Sequence, residues 1–180
     1  MGVEKNVFAA LVCVLFAGLV FLALDAVPKQ PAAFFAYGTN LAASTMNARA
    51  GGYLNATAAE MPGYLLAFAS QDARPAEFGV ATPVRNESSS VNGALYYLTQ
   101  EQLASLDKQS GVPDFYERKM VKVRLQDGST MDAQAYFLAG NTHPVVPSHP
   151  YYLAAQGGMT EWGYEENGLE AALVEAARYS

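Results

Sequence analysis

Cysteine is nearly missing from this chain: Cys13 is the only one in 180 residues. An internal disulfide is therefore excluded, and so is a thiolate-rich zinc site. Histidine is almost as scarce. His143 and His149 lie six apart with no acidic neighbour, so no histidine-based metal centre is expected. Basic residues are few, 11 Lys+Arg against 17 Asp+Glu for a net charge of −6, which argues against the dense basic face of a nucleic-acid binder. Charged residues of all kinds reach only 16%, while hydrophobic ones make up 51%. An intrinsically disordered chain has the opposite balance. What is left is a chain long enough for one domain with a real core and too short for two full-size ones.

The apolar content is not evenly spread. Val7 to Leu24 reads VFAALVCVLFAGLVFLAL, 18 residues without a charge or a proline. As a helix it would span about 27 Å, close to a hydrocarbon core of about 30 Å. A single-pass membrane anchor is the expectation, with Cys13 packed in lipid. Two alternatives stand beside it. A cleavable signal peptide, which would leave a secreted protein, usually has an apolar region of about 7–15 residues. Here its flanks carry Glu4 as well as Lys5, and the exit LALDAVPKQP lacks a small-x-small cleavage pattern. A buried core helix would normally show polar residues on one face, and this run has none. Pro28 and Pro31 mark an extended linker. The division expected is a hydrophobic segment and linker over 1–31 and a folded domain over 32–180.

Within the domain, strands come in runs. Ala32–Tyr37, Tyr53–Ala58, Tyr64–Ala69, Phe78–Pro83 and Val91–Leu98 have strand composition, with turn chemistry at Pro62-Gly63 and a bulge signal at Asn92-Gly93. Phe115–Leu125 and Met131–Ala139 flank Asp127-Gly128, a hairpin signal. Helices are predicted after Leu41 (Ala42–Ala48), after the N-cap Thr99 (Gln100–Gln109), from Pro147-Ser148 through Ala155, and over Glu165–Arg178 with a stripe of Leu169, Ala172, Leu173, Ala176 and Ala177. Such an order predicts an α+β fold, a small antiparallel or mixed sheet able to close into a barrel with helices at its side. Tyr151, Trp162 and Tyr164 are read as packing or membrane-interface aromatics.

Chemistry is best sought at FFAYGTNL, Phe34 to Leu41. A strand runs into Tyr37-Gly38-Thr39-Asn40 and then into a helical turn. Glycine lets the backbone approach a ligand, and successive N–H groups there can hold an anionic or carbonyl oxygen. A plain connecting turn is the other reading of the same residues.

Further motifs follow in order: Met46 and Arg49; Pro62-Gly63-Tyr64 with Phe68; Gly79-Val80-Ala81-Thr82-Pro83; Val91-Asn92-Gly93-Ala94-Leu95-Tyr96; Leu103 and Leu106-Asp107; Tyr116; Ala135-Tyr136; and Pro147-Ser148 with Tyr151 and Gly157-Gly158. From about Phe34 to Ala172 this series resembles the γ-glutamylcyclotransferase family with its AIG2-like branches. The Y-G-S-N-L loop of that family appears here as Tyr37-Gly38-Thr39-Asn40-Leu41. The resemblance implies a small mixed β-barrel with flanking helices and a γ-glutamyl amino acid or amine as small-molecule partner. It also implies intramolecular attack of the α-amine on the γ-carbonyl to give 5-oxoproline. By the same resemblance Tyr37, Gly38, Thr39, Asn40 and Leu41 cradle the glutamyl group and Tyr136 lines the pocket. Neither a metal nor another cofactor is implied.

One position departs from the pattern. The family helix ends L-D-x-x-E-G, its Glu being the catalytic base, whereas this chain has Leu106-Asp107-Lys108-Gln109-Ser110-Gly111. Ser110 thus occupies the catalytic position. A serine hydroxyl does not take a proton from an ammonium at neutral pH, and a missing general base costs about 10²- to 10⁴-fold. Asp114 and Glu117 are the nearest carboxylates able to substitute, Glu117 being expected on the face of its strand opposite Tyr116. Asp107 is expected to tie the helix end. Two functions follow: a membrane-tethered cyclotransferase with weakened or relocated base chemistry, or a pseudoenzyme that binds a γ-glutamyl-like molecule as a regulatory module.

Overall fold

Alternation along the first strand organises the molecule. In β1 (Ala32–Ala36), Phe34 and Ala36 join one buried cluster while Phe35 joins the other, as successive side chains of a pleated strand must. The computed structural model describes residues 30–73, 77 and 79–179. The hydrophobic run Val7–Leu24, with its anchor, signal and core-helix readings, lies outside them. Among the described residues no helix is long and apolar enough to cross a membrane.

After β1 a 3₁₀ turn (Gly38–Leu41) leads to α1 (Ala43–Ala50), then β2 (Asn55–Gln71), β3 (Val80–Leu98), α2 (Gln100–Ser110), β4 (Tyr116–Leu125), β5 (Thr130–Leu138), β6 (Thr142–Pro144), α3 (His149–Glu161) and α4 (Asn167–Ala177). The strands lie in the order β3-β1-β5-β4-β2, and β2 pairs with β3 again, closing a five-stranded barrel with β6 added beside β2. Among the named strands the β1–β5 contact is parallel and the other pairings are antiparallel. The fold is the small mixed β-barrel with flanking helices.

Inside the barrel Phe35, Met61, Phe68, Leu95, Val121, Val123, Ala133 and Ala135 pack together. Outside it, Phe34, Tyr96, Leu98 and Tyr136 are covered by Met46 of α1, Leu103 and Leu106 of α2 and Met159 of α3. The stripe of α4 belongs to the first cluster through Leu169, Ala172 and Ala176, while Ala177 is exposed.

Four local expectations change. The two strands expected at Tyr53–Ala58 and Tyr64–Ala69 are one, and so are those at Phe78–Pro83 and Val91–Leu98. Pro62-Gly63 is not a turn between strands but a break in register, Pro62 pairing with Ser90 and Tyr64 with Arg85. Gly63 takes a φ of +81° there, and Asn86 caps the displaced loop by accepting from the Ser88 N–H and hydroxyl. Asn92-Gly93, the expected bulge, pairs regularly with Glu60 and Ala59. Its glycine serves close approach instead, since a Cβ would lie 2.3 Å from the Ala36 carbonyl and 2.5 Å from the Phe35 ring. Finally, α3 runs past Ala155 through Gly157-Gly158. A Cβ at Gly158 would sit 3.0 Å from the Leu41 Cβ and 3.1 Å from the Ala42 nitrogen, so the glycine lets the helix lie on the 3₁₀ turn.

Candidate functional site

The same 3₁₀ turn forms one wall of a cavity of about 190 Å³. Pockets for drug-sized ligands usually hold about 300–1,000 Å³, so this one suits a group the size of a single amino acid. From β1 and the turn come Tyr37, Thr39 and Asn40; α1 adds Arg49 and β3 adds Val80 and Ala81. The end of α2 brings Gln109 and Ser110, the start of β4 Phe115 and Tyr116, β5 Tyr136 and α3 Tyr151. A wider groove of about 850 Å³ runs between α4 and the β2–β3 arm. Leu65, Leu66, Phe68, Leu169 and Ala172 line much of it, and Asn92, Thr142, His143, Glu165 and Glu175 stand along its walls.

Each wall is fixed by a local cause. Gly38 has a φ of +57° and a Cβ on it would stand 2.9 Å from the Ala81 Cβ, so both the turn's curvature and its packing on β3 require glycine. The Asn40 side-chain carbonyl accepts from the Arg49 guanidinium at 2.6 Å, which holds both groups. Leu41 is fully buried and stands behind the cavity, its carbonyl accepting from the Tyr96 hydroxyl at 2.8 Å and the Trp162 indole at 3.0 Å. Of the five loop residues, Tyr37, Thr39 and Asn40 line the cavity, while Gly38 and Leu41 shape and anchor the turn.

Four tyrosines surround the space, Tyr37, Tyr116, Tyr136 and Tyr151. The Tyr37 hydroxyl donates to the Tyr136 carbonyl. That of Tyr151 accepts from the Ala81 N–H at 3.0 Å. Tyr136 and Tyr116 stack with ring centroids 5.7 Å apart, and Phe34 meets Tyr136 edge-on at 4.7 Å. Burial pushes the hydroxyls of Tyr37, Tyr116 and Tyr151 up from their ordinary pKa. The same holds for Tyr136, where Asp107 adds to the effect. All four are neutral donors at physiological pH.

Ser110 closes the cavity at the C-terminus of α2, which Gly111 ends with a φ of +73°. Its hydroxyl is buried and has no hydrogen-bond partner, although it stands near enough to the Tyr136 hydroxyl to favour that group's ionised form. Neither His143 nor His149 lines the cavity, so nothing there activates Ser110 as a nucleophile. The lining contains no carboxylate, and Arg49 is its one formally charged group. Asp114 is exposed and its backbone carbonyl accepts from Gln71. Glu117 pairs with Lys119 at 2.7 Å. Asp107 does tie the helix end, accepting from the Tyr136 hydroxyl at 2.8 Å with Arg118 Nε 3.4 Å away. Among the described residues no group of three His, Cys, Asp or Glu could hold a metal ion.

Sequence reasoning did not place Arg49, Tyr116 or Tyr151 in the site. Arg49 and Tyr116 enter the sequence reading only as members of a motif series, and Tyr151 as a member of that series and as a packing or membrane-interface aromatic. Its position over Ala81 depends on how α3 crosses the barrel. Trp162 and Tyr164 do have packing roles, the latter donating to the Ala59 and Gly93 carbonyls.

Comparison with known proteins gives one answer. The family model described as gamma-glutamyl cyclotransferase, AIG2-like, matches residues 34–153. The chain is 28% identical over 140 residues to a gamma-glutamylcyclotransferase of Bos taurus, covering 76% of this chain and 71% of that protein. To a gamma-glutamylcyclotransferase of Homo sapiens it is 26% identical over 146 residues, covering 79% and 74%. A solved structure titled gamma-glutamyl cyclotransferase superposes with a TM-score of 0.70 at 25% identity, over 79% of this chain and 86% of that one.

Proposed function

The chain belongs to the gamma-glutamyl cyclotransferase, AIG2-like family, and on that premise we propose that its cavity binds the γ-glutamyl group of an amino acid or amine conjugate and cyclises it slowly. The observation that carries this reading is the wall at Ser110, a buried, unpartnered hydroxyl in a lining without a carboxylate. The Arg49 guanidinium is complementary to the ligand's α-carboxylate, and the Tyr151 and Thr39 hydroxyls with the Asn40 amide offer donors to its γ-carbonyl.

In the reaction the α-amine attacks the γ-carbonyl carbon and the γ C–N bond breaks. The products are 5-oxoproline and the released amine, which carries away the protons lost by the nucleophile. Amine and carbonyl already share one molecule, so holding them in the reactive geometry supplies up to about 7–11 kcal/mol of the barrier. What the lining lacks is a direct base, worth about 10²- to 10⁴-fold. That combination supports slow turnover over a site that has become purely a binding module.

Calorimetric titration with γ-glutamyl amino acids and amines tests the ligand class. Saturable binding is expected for the γ-linked compounds and at least tenfold weaker binding for their α-linked isomers. Equal affinity for the two, or none for either, contradicts the reading. The same proposal places the domain at a membrane through residues 7–24, supported by their freedom from charge. The full chain should then stay in the membrane pellet under alkaline carbonate, and its release would contradict the anchor.

A further inference from the structure

We propose that Tyr136 and Asp107 form a proton relay that stands in for the absent direct base. The inference rests on the γ-glutamyl reading of the cavity. Tyr136 belongs to the cavity wall, and its hydroxyl proton is already committed to Asp107 Oδ1 at 2.8 Å. A phenol that donates to a carboxylate has its oxygen lone pairs available to a donor on the other side. The short Ser110 side chain leaves room beside that oxygen for the ligand's ammonium, which no carboxylate in the lining competes to hold.

The remaining geometry keeps the pair in line. Arg118 Nε stands 3.4 Å from Asp107 Oδ1, while Arg118 Nη1 donates to Gln134 Oε1 at 2.7 Å, so the guanidinium spans β4 and β5 behind the carboxylate. Stacking on Tyr116 and the edge contact with Phe34 fix the Tyr136 ring. The Asp107 side chain is only 19% exposed, and its path to the cavity runs through Tyr136. The arrangement has the logic of a base oriented by a third group.

The proton balance is as follows. An ammonium N–H donates to the Tyr136 oxygen as the Tyr136 proton moves to Asp107. The two transfers are concerted, because a buried phenol beside a carboxylate resists ionising alone. The freed amine attacks the γ-carbonyl carbon and the tetrahedral intermediate forms. Its collapse breaks the γ C–N bond: the proton held on Asp107 returns through Tyr136 to the leaving nitrogen, which also takes the second proton shed by the attacking nitrogen and departs as the ammonium. Tyr136 touches the reacting ammonium and is the catalytic residue. Asp107 acts only through it, as a positioning residue and proton sink.

The test measures 5-oxoproline release by the full chain, with γ-glutamyl binding followed by calorimetry on every variant. Asp107→Asn keeps an acceptor for the tyrosine hydroxyl but cannot take its proton. We expect its kcat to fall about 10²-fold with KM within twofold, and Tyr136→Phe to lose as much. Adding Ser110→Glu to Asp107→Asn should restore turnover, since a direct carboxylate bypasses the relay and a merely misfolded variant would not recover. The wild type should show a bowed proton inventory in H₂O/D₂O mixtures, and the Ser110→Glu/Asp107→Asn double variant a straight one. Equal kcat in wild type and Asp107→Asn overturns the relay. So does a wild type that binds ligand yet never turns over while Ser110→Glu does, a result that leaves the γ-glutamyl pocket standing. Absence of binding in every variant would remove the pocket reading and the relay together.

Discussion

Arg49 carries the only formal charge in the cavity wall, and its contact with Asn40 at 2.6 Å couples that charge to the loop. Hydrogen bonds to charged groups are worth about 1.5–3 kcal/mol. Arg49→Leu is therefore expected to weaken γ-glutamyl binding about ten- to a hundredfold by calorimetry, and unchanged affinity would remove Arg49 from the site. The tyrosines make a pH prediction. Burial raises the pKa of Tyr37, Tyr116 and Tyr151 in the folded protein, against an unfolded value near about 10. Above that pH the unfolded chain loses protons that the folded one keeps, so stability falls as pH rises. Denaturant midpoints should be insensitive to these groups below about pH 10 and decline above it. A midpoint that rises above pH 10 would contradict their burial. Of the residues the motif singles out, Tyr37, Thr39, Asn40 and Tyr136 line one cavity that Ser110 closes, while Gly38 and Leu41 do not line it. Arg49 was hidden as one cation on a short helix, because its role arises from a contact across the turn.

At the scale of elements, local chemistry decided helix starts and turns, and these could be read in advance. Thr99 caps α2 in a reciprocal box with Gln102, and Asp127-Gly128 turns β4 into β5 with Gly128 at a φ of +84°. The two long strands could not be read, because Pro62-Gly63 carries the chemistry of a turn whether a chain reverses there or merely slips register. Only the partner strand, with Asn86 holding its displaced loop, determines which happens. Gly93 shows the reverse case, a bulge signal whose cause is a neighbour 57 residues away at Ala36. Gly93→Ala must displace a backbone carbonyl and an aromatic ring at once. A loss of about 1–3 kcal/mol or more is expected in urea unfolding, and a neutral result would contradict the close packing of β1 on β3.

Barrel closure is a property of the whole molecule, and it builds the site. The parallel contact of β1 with β5, at Phe34 and Gln134, sets the Tyr37 loop beside Tyr136, while the β4–β5 hairpin carries Arg118 opposite Tyr136. The runs of strands pointed to a small sheet able to close into a barrel, but which strands close it is non-local information that no window of sequence contains. Asp107 was legible as a tie for the helix end, yet its bond to Tyr136 depends on α2 crossing β5. On the proposed reading, Ser110 puts a hydroxyl where the γ-glutamyl pocket would hold its direct base. The most direct test is 5-oxoproline release at saturating γ-glutamyl substrate, wild type beside Ser110→Glu. Turnover at least about 10²-fold faster is expected in Ser110→Glu. A wild type that matches or exceeds Ser110→Glu would contradict that reading.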